Sequence, residues 1–294
     1  MSVCIASTKR ARWTFNVKTW QPTEAQFLLA SACVQEEEKA RIGRFVFKND
    51  AKATLIGRLM MRKFVSSTSG IPYSEVKFWR EEKGKPYVLN PVVNFNISHD
   101  GDHVVLAGEE VSTKVGVDVM RLEHRSGTGV EEFFRTMSRQ FTAEEWECIR
   151  GKSLPSKQLA TFYRHWCLKE SYLKALGMSI TSLGRYGFKT EEPDLRVGTV
   201  ARGTRVYVDG ILADNWCFEE TMLDEDHCVA VALSKSTADC SQDHCLFHFL
   251  DFEQLMKGSE PILQPDLEYT RNFFAKNEKI IRPIASILDT NDKN

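Results

Sequence analysis

Two octapeptides in this chain match at a turn and the start of a strand: DGDHVVLA from Asp100 and DEDHCVAV from Asp224. Each lies downstream of a long helical pattern and within a run of short alternating segments. Upstream of the first, residues 36–67 read as largely helical. Leu55, Leu59, Met60, Phe64 and Val65 share a face, with Arg58, Arg62 and Lys63 beside it. Gly70 and Pro72 break that helix, and a strand is expected at 76–79. EEKGKP is a turn, because Gly is permissive there and Pro cannot extend a helix. VVNFNIS, HVVLAG and VGVDV then read as a three-stranded meander with period-two alternation. Phe95 and Ile97 take one face, and Asn94, Asn96 and Ser98 the other. Val115, Val117 and Val119 likewise leave Gly116 and Asp118 on the opposite side. In the second half, Thr142 and Glu145 have capping-box spacing. A helix is predicted over 159–176, with strands over 187–190, 204–208, 216–219 and 227–233. The repeated plan predicts an α/β fold of the α+β type with two similar lobes, each a small, mostly antiparallel sheet on a long helix. The lobes are expected over 1–113 and 114–235. A polar extension over 236–294 is expected to pack back in part, through FHFLDFEQLM, and to end loosely.

Composition narrows the class. Of 294 residues, 42% are hydrophobic and 27% charged, which marks an ordinary soluble globular chain. The net charge of −1 gives no overall basicity to recommend a nucleic-acid partner. No apolar run approaches the ~20 residues that span a bilayer, so no membrane role is expected. The opening MSVCIASTKRARW lacks the apolar region of a signal peptide. Eight cysteines without CxxC pairs suit reduced thiols in the cytosol. Cys240, His244, Cys245 and His248 invite a zinc reading, but their spacing is wrong for a finger and no second knuckle exists.

One residue in the second helix is misplaced. Leu159, Phe162, Tyr163, Trp166 and Leu173 form a single apolar stripe, and Glu170 lands inside it. An unpaired carboxylate removed from water costs several kcal/mol. The bland alternative is an i,i+4 pair with Lys174, worth about 0.3–0.5 kcal/mol. Asp118 poses the same question, since it points away from its valine face. A strand carboxylate and a helix carboxylate together suit a hard divalent cation such as Mg²⁺, which takes one or two protein carboxylates plus phosphate and water oxygens. A basic, Gly-containing turn and a Lys one helical turn past the Glu could hold those phosphates. The combination points to phosphoryl chemistry.

GVDVM from Gly116 and WCLKESYLK from Trp166 resemble the paired signature motifs of the Sfp-type 4′-phosphopantetheinyl transferases, and Asp118 and Glu170 fit the interval between them. RIGRFVFKNDAKATLIGRLMMRKFV from Arg41, KGKP from Lys83 and NFNISH from Asn94 resemble the same family, closest to its cytosolic animal branch. The likeness covers residues 36–233. It implies a cytosolic monomer of two pseudo-twofold-related lobes with coenzyme A in the cleft between them. The implied reaction moves 4′-phosphopantetheine from coenzyme A to a serine of an apo acyl carrier protein domain, releasing adenosine 3′,5′-bisphosphate. Fatty acid synthase and aminoadipate reductase-like enzymes are the implied partners. By motif, Asp118 and Glu170 would bind Mg²⁺, and Glu170 would take the serine proton. Lys174 would neutralise the leaving phosphate, and His99 would donate a hydrogen bond to it. Arg41, Arg80, Lys83, Gly84, Lys85 and Pro86 match positions that grip the cofactor, with Asn96, Ser98 and His99 beside them.

One departure stands out. Bacterial members often carry a third carboxylate two residues after the Asp, where this chain has Met120. Asp100, where the animal relatives tend to have Gln, has no explanation in the sequence. Two other readings use the same residues: a Mg²⁺-dependent pyrophosphate hydrolase, for which REEKG bears a faint likeness to a Nudix box, and a carrier-binding module without strong catalysis.

Overall fold

One 22-residue helix organises each half of the computed structural model, which describes residues 10–81, 84–89, 93–124, 129–178, 183–235 and 246–278. The first half runs β1 (Ala11–Asn16), α1 (Glu24–Ala32), α2 (Glu36–Gly43) and α3 (Lys48–Ser69). The helical stretch expected over 36–67 is therefore two helices. Phe47 is extended and bridges Asn277, while the Lys276 ammonium caps the carbonyls of Gly43 and Phe45 at 2.9 and 2.6 Å. These partners come from the far end of the chain, so local periodicity could not announce the break.

α3 ends at Gly70, whose φ of 72° is the left-handed cap glycine tolerates. A short hairpin follows, β2 (Trp79–Arg80) with β3 (Pro86–Tyr87), so the strand expected at 76–79 is shorter and shifted. Then come β4 (Val93–Asp100), β5 (His103–Glu110) and β6 (Val115–Arg121). The expected meander breaks after β5. Antiparallel β1 occupies the second edge of β5, from Ala11 opposite Gly108 to Asn16 opposite His103. β6 therefore pairs in the other sheet.

The second half continues with α4 (Val130–Thr136), α5 (Ala143–Arg150) and α6 (Pro155–Leu176). α5 starts on the expected capping box, with Thr142 Oγ1 accepting from the Glu145 amide. α6 begins a turn earlier than its apolar stripe, with Pro at the first turn, where a missing N–H is harmless. β7 (Tyr186–Lys189), β8 (Arg205–Val208) and β9 (Ile211–Leu212) make a small sheet. β10 (Cys217–Met222) and β11 (His227–Leu233) pair with β6 in the order β10-β11-β6.

The last described elements are β12 (His248–Phe249), α7 (Phe252–Met256) and α8 (Leu267–Phe274). FHFLDFEQLM packs back as expected. β12 runs parallel to β1, and Leu250, Leu255 and Phe273 are buried in the core of the first half. The rings of Phe27 and Phe273 stack with centroids 3.7 Å apart.

α3 lies across β4 and β5, and α6 across β6 and β11. Arg12 joins the two sheets through ion pairs of 2.7 Å to both Glu109 and Glu219. Cys33, Cys148, Cys167 and Cys228 are free thiols, whereas Cys217 is disulfide-bonded, which departs from the expectation of reduced thiols throughout. Of the zinc candidates, His248 is exposed on β12, and Cys240, His244 and Cys245 lie outside the described residues.

Candidate active site

The closest approach in the second half is between β6 and α6. A Cβ on Gly116 would sit 2.0 Å from the Ser171 carbonyl and 2.4 Å from the Ala175 nitrogen, so only glycine lets this strand rest on the helix backbone. The Cys167 thiol adds a hydrogen bond of 3.0 Å to the Asp118 carbonyl. Two residues past the glycine, the Asp118 side chain therefore opposes the last turns of α6.

β4 is sewn to β6 by alternate side chains. Asn96 Oδ1 accepts from the Val117 amide at 2.9 Å, and Ser98 Oγ donates to Asp118 Oδ1 at 2.8 Å. Asp100 Oδ2 accepts from the Arg121 amide at 2.8 Å, which supplies the reason for Asp100 that the sequence lacked. Asn96, expected beside the cofactor, spends its carbonyl oxygen on the strand.

Lys174 discriminates between the two readings of the helix. Its ammonium lies 2.6 Å from Asp118 Oδ1, on the strand, and no ion pair joins it to Glu170 among the described residues. Asp118 Oδ2 is buried without a hydrogen-bond partner. Glu170 is 8% exposed, and its carboxyl is raised to about 7 by burial and then by Asp118, with Lys174 opposing. A local i,i+4 pair does not explain it. Two buried carboxylates against one ammonium leave acceptor capacity suited to a hard cation. The orphaned Asp118 oxygen is the sharpest sign of it. Met120, at the position of the missing third carboxylate, packs partly buried against the core of the second half.

His99 is exposed on β4, and its imidazole is held below its ordinary range by desolvation and by Lys174. Lys85 reaches the Lys174 carbonyl at 3.4 Å, carrying the hairpin to the end of α6. Gly84 turns that hairpin at φ 85°, with Pro86 opposite Arg80. Lys83 lies outside the described residues.

A second charged group belongs to the first half. Glu38 pairs with Arg80 at 2.7 Å and Arg58 at 3.0 Å. Arg58 is lowered to about 10, first by burial and, against Glu38, by the fields of Arg80 and Arg41. Arg80 also donates to the Gly84 carbonyl at 2.9 Å. Arg41 is exposed on the same helix as Glu38. Arg58 and Arg80 on one carboxylate, with Arg41 adding its field at Arg58, form a net positive surface that fits phosphate oxygens. Arg58 was not among the sequence candidates; an Arg on the flank of an apolar stripe was its only signal. By contrast, Lys169 of the WCLKE motif is structural. It is fully buried, 2.8 Å from Glu145, and donates to the carbonyls of Leu183 and Tyr186.

The two octapeptides meet in space. His103 Nε2 and His227 Nδ1 both donate to Asp224 at 2.8 Å, while Thr14 donates to His103 Nδ1 and the Asp102 amide to His227 Nε2. A cation bound at His227 Nδ1 would put the ring proton on Nε2, facing the Asp102 N–H. This cluster suits a hydrogen-bonded clasp, not a metal.

Residues 114–232 match the model of the 4′-phosphopantetheinyl transferase superfamily, and residues 18–111 match the N-terminal 4′-phosphopantetheinyl transferase model. The chain belongs to the 4′-phosphopantetheinyl transferase superfamily. Within it, the chain is 40% identical to the L-aminoadipate-semialdehyde dehydrogenase-phosphopantetheinyl transferase of Homo sapiens over 295 positions, covering 95% of each protein. The protein of the same name from Xenopus laevis is 40% identical over 283 positions, 91% of this chain and 92% of that one. A 4′-phosphopantetheinyl transferase of Bacillus subtilis is 31% identical over 159 positions, 54% of this chain and 66% of its own length. The chain is a phosphopantetheinyl transferase.

Proposed function

We propose that this enzyme moves 4′-phosphopantetheine from coenzyme A to a carrier-domain serine with Mg²⁺ held by Asp118 and Glu170. The observation that carries the metal assignment is the buried, unpartnered Asp118 Oδ2 beside a Glu170 carboxyl raised to about 7. When bound, Mg²⁺ would screen the pyrophosphate charge and favour attack at phosphorus. Glu170 accepts the serine proton as the serine oxygen bonds to phosphorus and the bond to adenosine 3′,5′-bisphosphate breaks. Lys174 brings its ammonium to the departing phosphate, and His99, kept neutral, donates an N–H to the same group. Arg41, Arg58, Arg80 and Lys85 hold the adenosine phosphates in the ground state. Lys83, Gly84, Pro86, Asn96 and Ser98 are proposed by motif as further cofactor contacts.

The same reading takes the lobes as 1–113 and 114–235 with an extension over 236–294, and the protein as a cytosolic monomer. Aminoadipate-semialdehyde dehydrogenase and fatty acid synthase carrier domains are its proposed substrates, the first in keeping with the names of the relatives.

Incubation with coenzyme A, Mg²⁺ and an apo carrier protein tests it by mass spectrometry. Transfer adds phosphopantetheine to the serine in a reaction abolished by EDTA. Free phosphopantetheine with unmodified carrier would instead establish the hydrolase, and no turnover of either kind a binding module.

A further inference from the structure

The Lys174 ammonium has three hydrogens and faces three oxygens. It lies 2.6 Å from Asp118 Oδ1, 2.8 Å from Ser98 Oγ and 3.3 Å from the Val117 carbonyl. An –NH₃⁺ group has three donors and no acceptor, so this oxygen set satisfies it in full. Glu170, one turn before it on α6, is not among the partners. The site therefore already holds a cation of its own, seated on a carboxylate assigned to the metal.

We infer that Lys174 is a placeholder cation, and that divalent metal binding is an exchange in which the ammonium must leave Asp118. The inference rests on the reading of Asp118 as a metal ligand. A divalent ion and an ammonium cannot share one carboxylate in a partly buried site without strong mutual repulsion. The displaced ammonium needs a new anion, and the coenzyme A pyrophosphate is the one the reaction supplies. Metal and coenzyme A thus bind with positive coupling, and by linkage each strengthens the other by the same factor. The arrangement keeps the acidic pair from holding metal tightly before coenzyme A is present. It also brings Lys174 to the pyrophosphate as the metal enters, so one displacement performs both tasks.

Mn²⁺ binding followed by electron paramagnetic resonance tests this without turnover. It compares wild type, Lys174→Met, Lys85→Met and Asp118→Asn, each verified as folded by circular dichroism. In wild type, saturating coenzyme A strengthens Mn²⁺ binding at least ~10-fold after correction for Mn²⁺ held by free coenzyme A. Lys174→Met binds Mn²⁺ alone at least ~10-fold more tightly than wild type, and its gain from coenzyme A shrinks below ~3-fold. Lys85→Met removes a positive charge nearby without emptying the three-oxygen seat, and changes Mn²⁺ affinity by less than ~3-fold. Lys174→Met binding no tighter than wild type overturns the inference, as does an equal gain in Lys85→Met, which would reduce the effect to general charge. Asp118→Asn separates the two levels. If it binds Mn²⁺ as wild type does with coenzyme A present, the metal assignment itself fails. If it loses Mn²⁺ while Lys174→Met shows no gain, the metal assignment stands and the placeholder falls.

Discussion

The two halves of this molecule carry clusters of opposite imbalance. Around Glu38, guanidiniums from α3 and the β2–β3 hairpin pair with one carboxylate, and Arg41 of α2 adds its field at Arg58. Around Asp118, two carboxylates face one ammonium, on β6 and α6. The first surplus suits phosphate directly, and the second suits it only through a divalent cation. Their mechanical settings also differ. In the first half, a Cβ on Gly108 would strike the Phe64 ring, so α3 meets its sheet through a side chain. In the second half, Gly116 brings β6 against the backbone of α6. On the reading proposed above, the half that grips substrate rests on a side-chain contact, and the half that does chemistry on a backbone one. Binding tolerates small displacements; proton and phosphoryl transfer does not.

The largest expected break in this comparison is chemical. Glu170→Gln keeps the shape but removes charge and basicity, and transfer to apo carrier falls at least ~1,000-fold while circular dichroism stays native. Wild-type transfer by this variant would return Glu170 to a structural role. The same substitution has an opposite effect on stability, measured by urea unfolding in EDTA. The Glu170 carboxyl titrates near 7 when folded, against an ordinary value of 4.5. Between those values the folded state holds a proton that the unfolded state has lost, so wild type loses stability as pH rises through that window. Glu170→Gln escapes this loss. It should exceed wild type by up to ~3 kcal/mol at pH 8 and match it near pH 4.

Gly116→Ala probes the backbone contact itself. Its Cβ meets backbone, so stability drops by about 2–3 kcal/mol and transfer declines with it, whereas Gly116→Ser fares no better. Native urea midpoints for both would show that β6 and α6 can part. The smallest effect belongs to the first half. Arg41→Ala raises the KM for coenzyme A about 10-fold with kcat within ~2-fold, because the contact exists already in the ground state. An unchanged coenzyme A saturation curve would remove Arg41 from the cluster.

The second half was the more readable from sequence. β11 was placed to the residue, and Asp118 and Glu170 were visible as carboxylates on faces that should be apolar. Such misfits are local and need no knowledge of distant partners. Arg58 offered no misfit, because a long cation beside an apolar stripe is ordinary snorkelling until Glu38 is found opposite it. The divided helix over 36–67 and the capture of β5 by β1 depend on partners from opposite ends of the chain. No pattern within a window of residues could contain them.

The Lys276 caps on α2 bear on how the protein is made. α2 carries Arg41 and Glu38, yet its end is closed by a residue near the last of the described chain, and Phe27 waits for Phe273 to complete its core. A ribosome delivers the first lobe long before either partner, so that lobe cannot finish folding as it emerges. The helix that carries Glu38 and Arg41 is closed only after Lys276 has been made. A message truncated before Phe273 would yield a protein with both signature motifs and no settled surface to receive the substrate they act on.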